Sequence, residues 1–266
     1  MLYRIGDVSK HLNISDQMIR YYEKCGVIHP VRSGDGRYRY YSEMDIFLLF
    51  EAMKYKEWDI NIADIGGMIA DDYYDKLISN LEAFTGKLND EISYKQILKE
   101  RTETVRHRLK ISRYNTDNVW VDTVPAHYLY SLGTSARDTY EIAQFDQRMA
   151  EIVYSSRYIS FFDPYVEYEG DSGIWWYMIP QKYHDLLHVP DYGEYRFEEE
   201  KLMLMSVIDM GEPGEFNASR YTHLIEYAKT HHYEVTGKVQ GILVGRGIQD
   251  NQFVRMMQIM VPVRTL

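Results

Sequence analysis

The chain has 266 residues, 45% of them hydrophobic, and carries 30 Lys/Arg against 40 Asp/Glu for a formal net charge of -10. That length holds two ordinary domains with buried cores. No apolar run approaches the roughly 18 residues of a membrane helix and "MLYRIGDVSK" lacks a signal-type apolar stretch, so a cytoplasmic location without membrane partners is expected.

The acidity is unevenly placed. Residues 1–60 hold nine basic and nine acidic side chains, residues 61–116 again nine and nine, and residues 117–266 twelve and twenty-two. Residues 1–41 are locally positive, with seven basic side chains to four acidic, so the bulk charge does not exclude nucleic acid. The lone Cys25 can form neither an internal disulfide nor a cysteine-rich metal site, and reads as a small packed hydrophobe.

In chain order, Ile5, Val8 and Leu12 form an apolar stripe at helical spacing, Asn13 interrupts it, and Ser15 is the expected N-cap of a second helix running to about Lys24. Gly26 ends that helix, and "SGDG" at 33–36 is a turn between the extended stretches "IHPVR" and "RYRYYS", read as a two-stranded wing. Ser42 caps "EMDIFLLFEAMKYKEW", with Ile46, Leu49, Phe50 and Met53 expected to face inward, and "DINIADIGGMI" supplies a shorter helix. Helix, turn, helix and wing together suit DNA, because a helix enters the major groove while the wing reaches the flanking backbone. Arg20, Tyr21, Arg37, Tyr38, Arg39 and Tyr40 are residue types that donate to phosphates. Their plain alternative is tyrosines in the core and arginines in solvent.

Positions 77, 81, 84, 88, 91, 95, 98, 102, 105 and 109 follow alternating four and three spacing, and seven of the ten are apolar. A single long helix is predicted, pairing with a second copy in an antiparallel dimer. Beyond it, "VWVDTV", "AHYLYSLG", "YISFFD" and "GIWWYMIP" read as strands around the helix "ARDTYEIAQFDQRMAEIVYSS". "KLMLMSVID", the helix "ASRYTHLIEYAKTHH", "EVTGKVQGILVG" and "FVRMMQIMVPV" repeat that plan. The fold class expected is therefore multidomain: an α-rich winged helix-turn-helix over 1–72, a coiled-coil helix over 73–114, and an α+β domain over 115–266 with a duplicated strand, helix, strand, strand layout.

Residues 158–197 hold twelve aromatics in forty positions. An aromatic cage for a flat or cationic lipophilic effector is the sharp reading, and a rich core is the bland one. Trp175 and Trp176, adjacent in a strand, must point to opposite faces. The candidate effector residues are Tyr130, Phe161, Tyr165, Tyr168, Trp175, Trp176, Tyr183, Glu194 and Gln240. His223, His231 and His232 have no metal-site spacing, no Ser-His-Asp or Cys-His order presents itself, and neither metal nor cofactor nor catalytic residue is expected.

"YRIGDVSKHLNISDQMIRYYEKCGVIHP", followed by "RYRYYSEMDI", resembles the N-terminal domain of the MerR family of bacterial transcription regulators across residues 2–70. The resemblance implies that Ser15, Gln17, Arg20 and Tyr21 lie on or beside the recognition helix, Tyr38 and Arg39 on the wing, and Lys54 against a phosphate; Arg37 stands where many relatives have glycine. It implies a homodimer on palindromic promoter DNA, distorting that DNA for RNA polymerase when an effector binds. The last 150 residues resemble in layout the GyrI-like effector-binding domain of the BmrR type, whose pocket acid falls at or near Gln240 here; a glutamine keeps the hydrogen bonds without the charge, and Glu167, Glu169, Asp171 or Glu194 could supply it. Two rivals follow from the same features: a GyrI-like hydrolase of small molecules, and a constitutive DNA-binding protein with a vestigial sensor.

Overall fold

The computed structural model describes residues 1–34, 36–135, 147–169, 172–190, 195–210 and 218–266. It forms two compact units, Met1–Ser93 and Tyr94–Leu266, whose boundary falls inside one helix. No helix among the described residues is long and apolar enough to cross a membrane.

The first unit is built by short helices around a small sheet. Helix α1 (Ile5–Leu12) ends at Asn13, whose left-handed backbone (φ 52) turns the chain into α2 (Asp16–Lys24). Ser15 caps α2 by accepting from the Met18 amide at 3.1 Å, as its position predicts. Gly26 (φ 75) releases the chain into strands β2 (Val31–Arg32) and β3 (Arg39–Ser42). The wing has a third strand, β1 (Leu2–Arg4), antiparallel to β3 in the order β1-β3-β2; its three residues are too few to show a period of two.

Helix α3 (Glu43–Glu57) starts at a capping box in which the Asp45 carboxylate accepts from the Ser42 amide (2.7 Å) and hydroxyl (2.7 Å) while Ser42 Oγ accepts from the Asp45 amide (3.1 Å). Asp45 is buried and also accepts from the His29 amide at 3.0 Å, fastening the entry to the wing onto α3. Leu49, Ala52 and Tyr55 are the buried side of this helix, whereas Phe50, expected inside, is 53% exposed with the Lys54 ammonium over its ring. Helix α4 (Ile62–Ala70) buries Ile65 in the core and lays Gly66 against the backbone at the end of α2. One core joins Val8, Ile19, Tyr22, Tyr41, Leu49 and Ile65.

Helix α5 (Tyr73–Tyr114) runs 42 residues, about 63 Å at about 1.5 Å per residue. Its second half belongs to the other unit. There a nine-stranded antiparallel sheet forms from β4 (Trp120–Val124), β5 (His127–Ser135), β6 (Asp163–Glu169), β7 (Ser172–Pro180), β8 (Tyr195–Glu198), β9 (Lys201–Asp209), β10 (Tyr233–Val235), β11 (Gln240–Gln249) and β12 (Gln252–Thr265). Eight strands run in the order β4-β9-β12-β11-β6-β7-β5-β8, and β10 pairs with β12. The order is symmetric about the β11-β6 seam: β5, β7, β6 on one side match β9, β12, β11 on the other. The flanking strands are exchanged, since β4 precedes the first half but pairs with β9 of the second, and β8 precedes the second but pairs with β5 of the first.

Helices α6 (Gln147–Val153), α7 (Gln181–Leu187) and α8 (Thr222–Thr230) complete the unit. "YISFF" is not a strand: Ile159–Phe161 is a 3-10 turn, and β6 begins at Asp163. The stretch "EVTGKVQGILVG" divides into β10 and β11. Tyr140 and Phe145 of the expected long helix lie outside the described residues. The two sheet faces carry separate cores, one around Phe161, Val166, Trp175, Ile179 and Ile259, the other around Leu129, Tyr165, Met178, Met205 and Met260.

Candidate functional site

In the first unit, Ser15, Gln17, Arg20 and Tyr21 are exposed together with Lys24 on α2, lining a shallow groove. Ile19 and Tyr22 on the opposite side are buried, so core packing fixes which side chains α2 turns outward. The Tyr21 phenol is 44% exposed and held above the usual tyrosine range by its hydrogen bond to Cys25. On the wing, Tyr38 is 58% exposed and Arg37 is exposed.

Arg39 differs from these. Its Nε donates to Glu23 on α2 at 2.9 Å, and Arg32 approaches the same carboxylate at 3.6 Å. The residue is half-buried, so it braces the wing against α2. Tyr40 is half-buried beside it, and Lys54 is already paired with Glu51 at 2.7 Å. Glu23 was not singled out from the sequence; its partners lie 9 and 16 positions on, beyond any helical spacing.

In the second unit the expected aromatic residues divide by sheet face. Phe161, Tyr168, Trp175, Tyr183 and Tyr130 are buried in one core, where the Tyr130 hydroxyl and His184 Nε2 lie 3.0 Å apart. Tyr165 and Trp176 belong to the other face as a cross-strand pair, and Gln240 stands opposite Glu167 in the neighbouring register. Trp175 and Trp176 thus do point to opposite faces. Glu194 lies outside the described residues.

On the Tyr165 face, buried Glu167 accepts from Arg196 Nη2 at 2.5 Å, and Arg196 reaches Glu198 at 2.7 Å with its guanidinium carbon 4.7 Å above the Trp176 ring. Burial opposes ionisation of Glu198, but the Lys201 hydrogen bond and the nearby cations outweigh it and hold the carboxyl below its ordinary value. Burial drives the Tyr165 phenol well above 10.0 and lowers His127 from 6.5, so both are neutral at pH 7. Tyr165 Oη, Trp176 Nε1 and Gln240 Oε1 are buried and have no hydrogen-bond partner among the described residues.

Further along this face the second half of α5 closes a cavity of about 370 Å3. Its floor is Trp120, Val124, Met178, Met205 and Ile242, its wall Arg101, Thr104, Arg108 and Ile111, and its rim Glu100, His107, Asp122 and Lys182. Arg101 Nη2 donates to Asp163 at 2.6 Å and its Nε to the Ser160 carbonyl at 3.0 Å, while Arg108 Nη1 donates to the second Asp163 oxygen at 2.9 Å. Of the described effector candidates Tyr183 lines this cavity. Arg101 and Arg108 were read only as parts of a pairing helix, although their spacing of seven puts them on one face.

Residues 3–71 match the sequence profile of the MerR HTH family regulatory protein. This domain is a MerR-family regulatory helix-turn-helix domain. The chain is 31% identical over 71 residues to the uncharacterized HTH-type transcriptional regulator YyaN of Bacillus subtilis (strain 168), covering 27% of this chain and 51% of that one. It is 32% identical over 66 residues to heavy metal-dependent transcription regulator 2 of Rhizobium meliloti (strain 1021), covering 25% and 45%. The chain thus spans about half the length of these curated relatives, and the likeness lies in the MerR domain. Among solved structures, EcmrR in its DNA complex covers 99% of this chain and 100% of its own at 13% identity and a TM-score of 0.37, a likeness too low to bear on function.

Proposed function

We propose that the protein is a homodimeric transcription regulator whose MerR domain binds palindromic promoter DNA and whose carboxy-terminal unit is a GyrI-like sensor for a small lipophilic effector. The observation that carries this reading is the continuity of α5. The helix starts two residues after the MerR match ends, and its residues 100–111 wall the cavity. A ligand that shifts this wall acts on the helix whose first turn follows the MerR match. For the ligand to change transcription it must favour the DNA-distorting state over the inactive one, because equal affinity for both shifts nothing.

The dimer reading is supported by apolar side chains left open along α5, with Leu88 40%, Ile92 53% and Leu109 46% exposed in the single chain. A two-fold pair of MerR domains reads a two-fold site and presents it to RNA polymerase.

The test is selection of bound sequences from random duplex DNA, followed by transcription from the selected promoter with and without candidate effectors. Arg20→Gln is expected to weaken binding about tenfold and to reduce the slope of log affinity against log salt by about one, as loss of one phosphate contact does. Tyr21→Ala is expected to weaken it similarly. Arg39→Gln should leave the salt slope within half that change, since its guanidinium is held by Glu23. Selection of no sequence over random DNA, or equal slopes for Arg20→Gln and wild type, would sink this assignment.

A further inference from the structure

We propose that the α5-walled cavity takes an amphipathic anion, a carboxylate or similar group on an apolar body, and this rests on the sensor reading above. The inference comes from the ion pairs of that sheet face, buried at Arg101 and Asp163 and partly exposed at Arg196 and Lys201. Arg101 and Arg108 share the single carboxylate of Asp163. Arg196 and Lys201 are matched by Glu167 and Glu198. Among the described residues of this cluster, four cations face three acids. At the rim, Lys182 and Glu100 pair at 2.5 Å and Asp122 is exposed, so the unmatched charge lies deeper, where two guanidiniums meet the one carboxylate of Asp163.

The surplus positive charge sits at the cavity wall. Arg101 is 2% exposed, and its Nη1 is buried with no hydrogen-bond partner among the described residues. An unbalanced buried guanidinium is costly, and a counter-ion with its own acceptor oxygens relieves both deficits through short charge-assisted bonds.

A cationic ligand meets the reverse situation. The buried acids on this face that could hold it are taken: Asp163 holds Arg101 and Arg108, Glu167 holds Arg196, and the Trp176 ring already carries that guanidinium at 4.7 Å. The cation site is filled from within the chain. The ligand's apolar body has a floor of Trp120, Met178, Met205 and Ile242, and a cavity of 370 Å3 is at the small end of the roughly 300–1,000 Å3 typical of ligand sites.

The test measures binding of decanoate, decanol and decyltrimethylammonium, each below its micelle concentration, to the full chain by calorimetry and thermal shift. Decanoate is expected to bind at least tenfold more tightly than either other probe, Arg108→Gln to weaken it about tenfold, and Arg108→Lys to recover part of the loss. Tighter binding of the ammonium, no binding of decanoate, or the same decanoate affinity in Arg108→Gln and wild type overturns the anion assignment. Transcription from the selected promoter separates the two readings. An ammonium that binds and alters transcription leaves the sensor standing with the opposite charge preference; decanoate that binds at Arg108 without altering transcription leaves the anion site standing and removes the sensor.

Discussion

Asp163→Asn is expected to destabilise the carboxy-terminal unit by about 3–5 kcal/mol, the usual result of removing one partner from a buried ionic cluster. The carboxylate at the start of β6 answers two guanidiniums on α5, at 2.6 and 2.9 Å, with Arg101 2% and Arg108 18% exposed in their side chains. Asparagine keeps the shape and one acceptor but leaves two positive charges facing one another in a poorly solvated place. For a unit of this size the loss corresponds to a melting shift on the order of 10 °C. The transition of the MerR domain should not move, which distinguishes a local ionic defect from general misfolding. Replacing Arg101 and Arg108 by methionine together with Asp163→Leu should recover most of the loss, because the cluster's cost of desolvation disappears with its attraction. Scanning calorimetry of the wild type and the two variants reads both effects. A single mutant within 1 kcal/mol of wild type would show that water, rather than Asp163, balances the arginines.

The same cluster marks where sequence stops being sufficient. Ser15, Gly26 and Ser42 act within three or four residues of themselves, so two helix caps and a helix end were legible as local chemistry. The long helix was legible from period alone. The strand alternation separated Trp175 from Trp176, yet it could not say that Tyr165 would join Trp176 while Phe161, Tyr168 and Tyr183 went to the other core. That division depends on the β6-β7 register and on a 3-10 turn at Ile159–Phe161 that absorbs residues expected in the strand. Arg101 and Arg108 looked like solvated charges on a pairing helix because their acid lies 62 and 55 positions away. Similarly, Arg39 carries the residue type of a phosphate contact, but Glu23 had already claimed its Nε. Ion pairs across long sequence separations leave no periodic trace, and they decide which charged groups remain available to a partner.

Two adjacent glycines in α4 should respond to the same substitution with opposite signs. A Cβ on Gly66 would stand 2.0 Å from the Cys25 carbonyl oxygen and 3.1 Å from the carbonyl carbons of Cys25 and Gly26. These are backbone atoms at the end of α2, where Gly26 holds φ 75, so no side chain can swing away to make room. Gly66→Ala must therefore push α4 off α2, at a cost of about 3 kcal/mol, the upper part of the range for overpacked cores. The displaced end of α2 carries Arg20, Tyr21 and Lys24, so DNA affinity should fall as well. Gly67 is exposed with nothing within 4 Å of its would-be Cβ. There alanine replaces glycine in an open helical position and should stabilise by up to about 1 kcal/mol. Urea denaturation of the full chain, following the transition of the MerR domain, measures both. Equal effects from the two substitutions would mean that α4 does not rest on the Cys25 carbonyl, and the packing that aims the recognition helix would have to be sought elsewhere.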